Sequence, residues 1–138
     1  MFVVFDLDGT LANLDHRLHL QITKDWRGFF AAVGKDEPIP HAISVAQAMW
    51  QAGHRVEVWS GRSDECREAT ERWLAFHLIP YSALLMRTAG DVRPDDVIKQ
   101  EFLRGGGQPD LIFDDRDRVV AMWRSLGIPC FQVAKGDF

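Results

Sequence analysis

Short apolar runs alternate with amphipathic stretches along most of this chain. Five runs rich in β-type apolar residues are predicted to be strands: residues 3–5, 55–60, 83–86, 110–113 and 129–133. Helices are predicted between the later strands: residues 41–52, 64–77, about 93–104 and 117–126. Strands that alternate with helices favour an α/β fold in which helices cover both faces of a parallel sheet. We therefore expect a Rossmann-like, three-layer domain.

Residues 12–40 interrupt this alternation and show no long hydrophobic period. The sequence predicts a helical turn at residues 16–20 and a short helix at residues 25–32, and two prolines close the segment. This stretch is too short to form a separate cap domain. We expect it to be a small insertion over the mouth of the sheet, within a single domain that spans residues 1–138.

Composition narrows the class of protein. The chain has 138 residues, of which 46% are hydrophobic, so it is large enough to bury a core. No apolar run approaches the ~20 residues of a membrane span, and the first strand leaves no room for a signal peptide. Its two cysteines, Cys66 and Cys130, predict buried thiols and a cytoplasmic location. The net charge of −4 argues against a large basic surface for nucleic acid, but not against a short groove of arginines.

Two carboxylates end the first predicted strand. Asp6 and Asp8 lie two residues apart, so both point to the same side as the chain leaves the sheet. One acid of such a pair can attack phosphorus, while the other gives and takes a proton. Their oxygens also suit a hard cation such as Mg²⁺. Alternatively, the segment is an ordinary strand followed by an Asp-Gly turn without chemistry.

Polar residues also follow two other predicted strands. Ser60, Gly61 and Arg62 end the second strand, and Asp114 and Asp115 end a later one. Ligands bind parallel sheets at the carboxyl ends of the strands, where all these residues are expected to meet. Three polar strand ends favour a phosphate or metal site over the simple turn.

Each of these residues also has a purely structural interpretation. Ser60 could cap the next helix, although its hydroxyl and the amides of that helix start would also bind phosphate. Lys99 could form a surface pair with Asp95, or that pair could hold the ammonium over a phosphate. Asp114 and Asp115 could cap a helix, but two adjacent acids are better explained by a cation. The five tryptophans are expected to pack in the core or the lid, and no histidine is assigned to a metal.

These residues together resemble the signature motifs of the haloacid-dehalogenase-like phosphatases. The motifs are Asp6-Leu7-Asp8-Gly9-Thr10-Leu11, then Ser60, Lys99 and finally Asp114-Asp115, in the family's order. The contexts Ser60-Gly61-Arg62 and Asp114-Asp115-Arg116 are similar to the 3′-phosphatase branch represented by T-even phage polynucleotide kinase-phosphatase. This resemblance covers nearly the whole chain and is weakest around residues 18–37, where the superfamily sets substrate choice.

The resemblance implies a phosphatase that works through an aspartyl-phosphate. Asp6 would be the nucleophile, Asp8 the general acid and base, and Lys99 a catalytic cation. Mg²⁺ would be held by Asp6, by the Asp8 backbone carbonyl, and by Asp114 or Asp115. The residues implied to bind or orient the substrate phosphate are Ser60, Gly61, Arg62, Arg17 and Asp95.

The substrate implied is a 3′-phosphorylated DNA or RNA end. The chain contains no Gly-x-x-x-x-Gly-Lys-Ser/Thr loop, so we expect dephosphorylation alone, with any kinase or ligase on a separate chain. Two alternatives stay open. One is a phosphatase for free nucleotides or another small phosphomonoester, and the other is a non-catalytic phosphate-binding module that kept the fold.

Overall fold

A computed structural model describes all of residues 1–138 and contains seven strands and six helices. The strands are β1 Phe2–Phe5, β2 Ala12–Asn13, β3 Glu37–Pro38, β4 Arg55–Ser63, β5 Ala83–Arg87, β6 Leu111–Asp114 and β7 Cys130–Gln132. The helices are α1 Leu18–Ile22, α2 Trp26–Ala31, α3 Pro40–Gln51, α4 Arg67–Phe76, α5 Asp95–Gly106 and α6 Asp117–Ser125. Three 3₁₀ turns lie at Asp15–Arg17, Val33–Lys35 and Asp64–Cys66.

Five of the strands form one parallel sheet in the order β5-β4-β1-β6-β7. The predicted α/β fold is therefore confirmed. The central strand β1 is buried along its whole length, as expected for an apolar strand covered on both faces. Because β4 and β6 flank β1 in parallel register, the carboxyl ends of these three strands lie side by side.

Two hydrophobic clusters cover the two faces of the sheet. On one face α3 and α4 pack through Ile43, Trp73 and Leu74. On the other face α6 packs through residues that include Trp123. Strand side chains alternate between the faces, so Phe5 contributes to the first cluster and its neighbour Val4 to the second. The result is the predicted arrangement of three layers.

Residues 12–40 form a small antiparallel unit beside the end of β1. Strands β2 and β3 pair with Ala12 opposite Pro38, and they enclose the short helices α1 and α2. The helical turn and the short helix predicted in this segment are both present. Because β2 and β3 pair, the two ends of the insertion come together next to the strand end that carries Asp6 and Asp8.

The main departure from the predicted elements concerns the end of β4. The strand continues to Ser63 instead of stopping at Ser60, with an irregular register between these two residues. The hydroxyl of Ser63 accepts a hydrogen bond from the Glu65 amide and caps the 3₁₀ turn that precedes α4. The expectation that Ser60 stands at a helix N-terminus is therefore wrong, because the bulged strand carries the chain three residues further.

The predicted environment of the cysteines is confirmed, and that of the tryptophans is confirmed for most of them. Both thiols are buried and free. Three of the five indoles are buried in the core and Trp26 packs on Phe29 within the insertion. Trp50 on α3, which was expected to pack in the core or the lid, is 42% exposed. No helix is long and apolar enough to cross a membrane.

Candidate active site

Four charged side chains meet at the ends of β1 and β6, and we call them the carboxylate cluster: Asp6, Lys99, Asp114 and Asp115. Lys99 reaches in from α5 and donates to Asp6 Oδ1 at 2.6 Å and to Asp114 Oδ2 at 2.8 Å. All four residues are at most 5% exposed. The predicted surface pair of Lys99 with Asp95 is secondary, since those charged atoms are 3.9 Å apart. The parallel sheet thus brings residues about a hundred positions apart into one buried ionic group.

The turn after β1 fits closely against this cluster. Gly9 has a φ of +88°, and a side chain there would collide with the Asp115 carboxylate. The hydroxyl of Thr10 donates to Asp6 Oδ2 at 3.1 Å. Both Asp6 oxygens are therefore held from within the chain, one by Lys99 and the other by Thr10.

Backbone contacts hold the two acids at the end of β6. Asp114 Oδ1 accepts from the amides of Asp115 and Arg116, at 2.9 and 3.3 Å. The carbonyl of Asp115 accepts from Gln132 Nε2 at 3.0 Å. The amide of Asp117 donates to the carbonyl of Gly136 at 2.8 Å, so the C-terminal residues fix the loop from outside.

The carboxylate cluster carries three acids against one ammonium. Burial, and then repulsion by Asp114 and Asp115, raise the pKa of Asp6 well above its usual range, although Lys99 opposes this. Burial and Asp114 raise the pKa of Asp115 to about 6. Burial alone would lower the pKa of Lys99, but Asp114 and Asp6 outweigh it and raise that pKa. The excess of negative charge therefore favours any additional cation.

The donor set suits a divalent metal ion. One carboxylate oxygen from each of Asp6, Asp114 and Asp115 lies within 4.8 Å of the others. An all-oxygen set with excess negative charge fits Mg²⁺. The Asp8 carboxylate is not part of this set, which leaves its backbone carbonyl as the expected ligand.

The Asp8 carboxylate instead joins a second group, which we call the arginine cluster: Asp8, Arg17, Asp36 and Arg62. Arg62 Nη2 donates to Asp8 Oδ1 at 2.7 Å, and its Nε lies 3.1 Å from both Asp8 oxygens. Arg17 Nη2 donates to the same Asp8 Oδ1 at 2.9 Å. Arg17 also lies over the ring of Phe29, 4.2 Å from its centroid.

Both arginines are buried, so neither is the surface charge that such residues ordinarily are. Their side chains have no exposed area, whereas that of Asp8 is 24% exposed. Burial would raise the pKa of Asp8, but the guanidinium groups of Arg62 and Arg17 outweigh it and lower that pKa. The face of Asp8 that remains open is the one available to a substrate.

The other predicted site residues lie at the end of β4 and the start of α5. Ser60 is buried, and its Oγ accepts from the Arg62 amide at 3.1 Å. A side chain at Gly61 would collide with Asp95, which accepts from Arg87 at 3.2 Å. Arg87 also donates to the Gly61 carbonyl at 2.8 Å, so it joins the end of β4 to the start of α5.

Two contributors to the site were missed by the sequence analysis. Asp36, whose side chain is fully buried, contacts both arginines of the arginine cluster. Thr70 on α4 accepts from Arg62 Nη1 at 3.0 Å. Asp36 lies in the segment without a hydrophobic period, and no local motif marks it. A buried acid beside two buried arginines is recognisable once the fold is known, but not before.

The fold and this site together define a haloacid-dehalogenase-like phosphatase domain. The features are a parallel α/β sheet, an Asp-x-Asp-Gly-Thr turn after the central strand, a lysine on a later helix, and two acids at the end of β6. Over residues 1–138 the chain matches the family described as the polynucleotide kinase PNKP phosphatase domain, and it belongs to that family.

Individual relatives agree with this assignment. The chain is 31% identical over 134 residues to a protein of Autographa californica nuclear polyhedrosis virus, whose name places it among the bifunctional polynucleotide kinase/RNA ligases. It is 38% identical to a chain of the solved Pnkp1/Rnl/Hen1 complex. The two structures superpose with a TM-score of 0.86, and the match covers 99% of the present chain. A class C acid phosphatase from Bacillus anthracis shares the fold, with a TM-score of 0.70 at 14% identity and 99% coverage of this chain.

These relatives are longer than this chain. The match covers 92% of this chain but 18% of the viral protein. It covers 47% of the chain from the Pnkp1/Rnl/Hen1 complex and 67% of the acid phosphatase.

Proposed function

We propose that this domain is a Mg²⁺-dependent phosphatase that removes 3′-phosphates from polynucleotide ends through an aspartyl-phosphate on Asp6. The observation that carries the proposal is the contrast between Asp6 and Asp8, which leave one strand two residues apart. Asp6 lies in the carboxylate cluster, which favours a metal, and Asp8 lies in the arginine cluster with one face open. For these roles, a bound cation would keep Asp6 ionised for attack, and the negative charge of a bound phosphate would favour the protonated form of Asp8 that donates to the leaving oxygen.

In the first step an Asp6 oxygen attacks phosphorus and the bond from phosphorus to the nucleotide oxygen breaks. Asp8 gives its proton to that leaving oxygen. In the second step Asp8 takes a proton from water, the water oxygen bonds to phosphorus, and the bond from phosphorus to Asp6 breaks. Inorganic phosphate leaves, and both acids return to their starting states.

The remaining residues hold charge in place. Mg²⁺ would be held by Asp6, by Asp114 or Asp115, and by the Asp8 backbone carbonyl. Its positive charge would reduce the repulsion between the phosphate and these carboxylates. Lys99 places an ammonium beside the nucleophile, where Asp114 holds it by a 2.8 Å hydrogen bond, while Asp95 contributes only its charge from 3.9 Å. Ser60 and Gly61 would bind phosphate oxygens, whereas Arg17 and Arg62, whose side chains have no exposed area, would shape the site through Asp8.

The polynucleotide substrate is supported by the family and by the relatives' names. The family is a phosphatase domain of polynucleotide kinases. A second solved structure of the Pnkp1/Rnl/Hen1 complex, to which this chain is also 38% identical, is named as an RNA repair complex. We further propose that a kinase or ligase works with this domain, as the names of the longer relatives join these activities.

A panel of substrates tests the proposal. We expect phosphate release from 3′-phosphorylated RNA and DNA oligonucleotides to exceed release from 5′-phosphorylated ones and from 3′-mononucleotides. Faster turnover of mononucleotides would favour the small-substrate phosphatase, with which the net charge of −4 is compatible. If wild type with Mg²⁺ hydrolysed no member of the panel, nor a generic aryl phosphate, the domain would be a binding module.

Metal dependence is tested in the same assay. Activity should vanish with excess chelator and return with Mg²⁺, because the carboxylate cluster otherwise repels the phosphate. Ca²⁺ should inhibit, since its larger and looser coordination would engage the Asp6 oxygens needed for attack. Full activity in excess chelator would refute the metal requirement.

A further inference from the structure

Asp36 is a buried acid in the insertion. It lies between the 3₁₀ turn Val33–Lys35 and strand β3, and its side chain has no exposed area. A buried carboxylate is costly unless charged groups and hydrogen bonds surround it. The contacts of this one therefore indicate what it does.

Both oxygens of Asp36 bind arginine. Oδ1 accepts from Arg17 Nε at 2.8 Å and Oδ2 from Arg17 Nη2 at 2.8 Å, a two-pronged pairing that fixes the guanidinium plane. Oδ2 also accepts from Arg62 Nη2 at 2.7 Å. The imidazole of His16 completes the shell, with Nε2 at 2.7 Å from Oδ1.

The same two guanidinium groups bind Asp8 on their other side. Nη2 of Arg17 and Nη2 of Arg62 each bridge Asp36 and Asp8, while Asp36 itself makes no hydrogen bond to Asp8. Two carboxylates balance two guanidinium charges, so the group is neutral when all four residues are ionised. The Asp8 carboxylate is therefore held through a bridge whose far support is Asp36.

The support is tied to the protein core. The indole of Trp73, which is buried on α4, donates to the Asp36 carbonyl at 2.8 Å. Thr70, one turn earlier on α4, accepts from Arg62 Nη1. The insertion thus reaches α4 at the point where α4 also holds Arg62, and the bridge cannot shift without disturbing packed residues.

We propose that Asp36 is a positioning residue for Asp8: it fixes Arg17 and Arg62 so that the Asp8 carboxylate faces the leaving oxygen. This inference rests on the proposed phosphatase function. The insertion then supplies part of the proton-transfer machinery, in addition to any effect on substrate choice.

The test compares two leaving groups in the Asp36→Asn variant. An oligonucleotide 3′-oxygen needs a proton as it leaves, whereas an aryl oxide of low pKa does not. We expect single-turnover cleavage of a 3′-phosphorylated oligonucleotide to slow by about 10²-fold, within the range for loss of general acid catalysis. The burst of p-nitrophenol released from p-nitrophenyl phosphate reports the first step alone. It should slow by less than about tenfold.

A double-mutant cycle shows whether the effect passes through Asp8. In an Asp8→Asn background, Asp36→Asn should cause little further loss with the oligonucleotide, since the group that it positions has already been removed. Glu37→Gln is the matched control, because it removes one negative charge from the exposed neighbouring residue. It should leave both rates unchanged.

Folding is checked separately by thermal melting. If Asp36→Asn does not fold, Asp36→Glu replaces it, since this change keeps the charge and displaces the carboxylate. It should show the same preferential loss with the oligonucleotide, though a smaller one. Equal losses on the two substrates, no loss on either, or additive losses in the cycle would overturn the inference. An inactive wild type would instead refute the proposed function.

Discussion

The two ionic clusters differ in how their charges are balanced. The carboxylate cluster places three acids around Lys99, whereas the arginine cluster places two acids between two arginines. Asp6 and Asp8 are separated by one residue, but the pKa of Asp6 is raised and that of Asp8 is lowered. The chain therefore assigns different electrostatic surroundings to two acids of identical chemistry.

The two charge balances indicate what each cluster lacks. The carboxylate cluster has an excess of negative charge that an added cation relieves, so it is incomplete as folded. The arginine cluster is neutral and internally hydrogen-bonded, so it needs nothing further for stability. We infer that removing one charge has opposite consequences for folding in the two places.

The largest effect is expected for Asp6→Asn. Turnover should fall below detection, because the amide keeps the shape of the side chain but cannot attack phosphorus. The unfolding temperature without metal should not fall, since one of three mutually repelling acids is removed. Phosphate release and thermal melting measure the two effects. Retained activity in a folded variant would exclude Asp6 as the nucleophile.

Arg62→Ala should have the opposite effect on folding. It leaves Asp8 and Asp36 buried with one guanidinium fewer, so the free energy of unfolding should drop by roughly 3–5 kcal/mol. Arg62→Lys should recover part of this, because a point charge cannot reproduce the fork. Urea unfolding measures the loss, with Arg72→Ala on the exposed side of α4 as the control. Arg72 pairs with Glu68 at the surface, so its loss should cost only about 0.3–0.5 kcal/mol.

The clusters should also respond differently to pH. The folded-state pKa of Asp115 is about 6, above its ordinary value of 3.8, so its contribution to stability is present below pH 4 and is lost as the pH rises through 6. A shift of this size corresponds to roughly 3 kcal/mol at most. The pKa of Asp8 is shifted downward. Asp8 therefore stabilises the fold at pH values above its ordinary pKa, and this contribution is lost as the pH falls through the lowered, folded-state pKa.

Magnesium binding should reveal this contrast. Mg²⁺ should raise the unfolding temperature more at pH 7.5 than at pH 5, because at the lower pH protons compete for the carboxylates. Asp115→Asn should weaken both the pH dependence and the gain from Mg²⁺. Equal gains at the two pH values would show that the carboxylate cluster is not the metal site.

The smallest effect concerns salt. Arg17 and Arg62 are buried within the arginine cluster, and the side chains of Arg87 and Arg116 are only 16% and 27% exposed. These four arginines thus offer little exposed charge to a nucleic acid backbone. The slope of log affinity against log salt should be about −1 to −2 for single strands. Binding measured against salt and oligonucleotide length tests this, and a gain that continues over about ten nucleotides would indicate an extended groove.

Much of the candidate site could be predicted because it depends on strand ends. Asp6 and Asp114 each follow an apolar run, and the parallel order of the sheet places such ends together. The position of Ser60 was less predictable. Its strand bulges and continues to Ser63, and an irregular register of this kind has no signal in the hydrophobic pattern.

Local periodicity and residue type were enough to predict the α/β sheet, the edge where its polar strand ends meet, and the Asp-x-Asp turn. Only the folded structure shows that Asp6 joins the carboxylate cluster and that Asp8 faces arginines. Asp36 lies 19 residues from Arg17 and 26 from Arg62, in a segment without a regular period. Contacts of this kind depend on how the insertion packs on α4, and neither spacing nor composition encodes them.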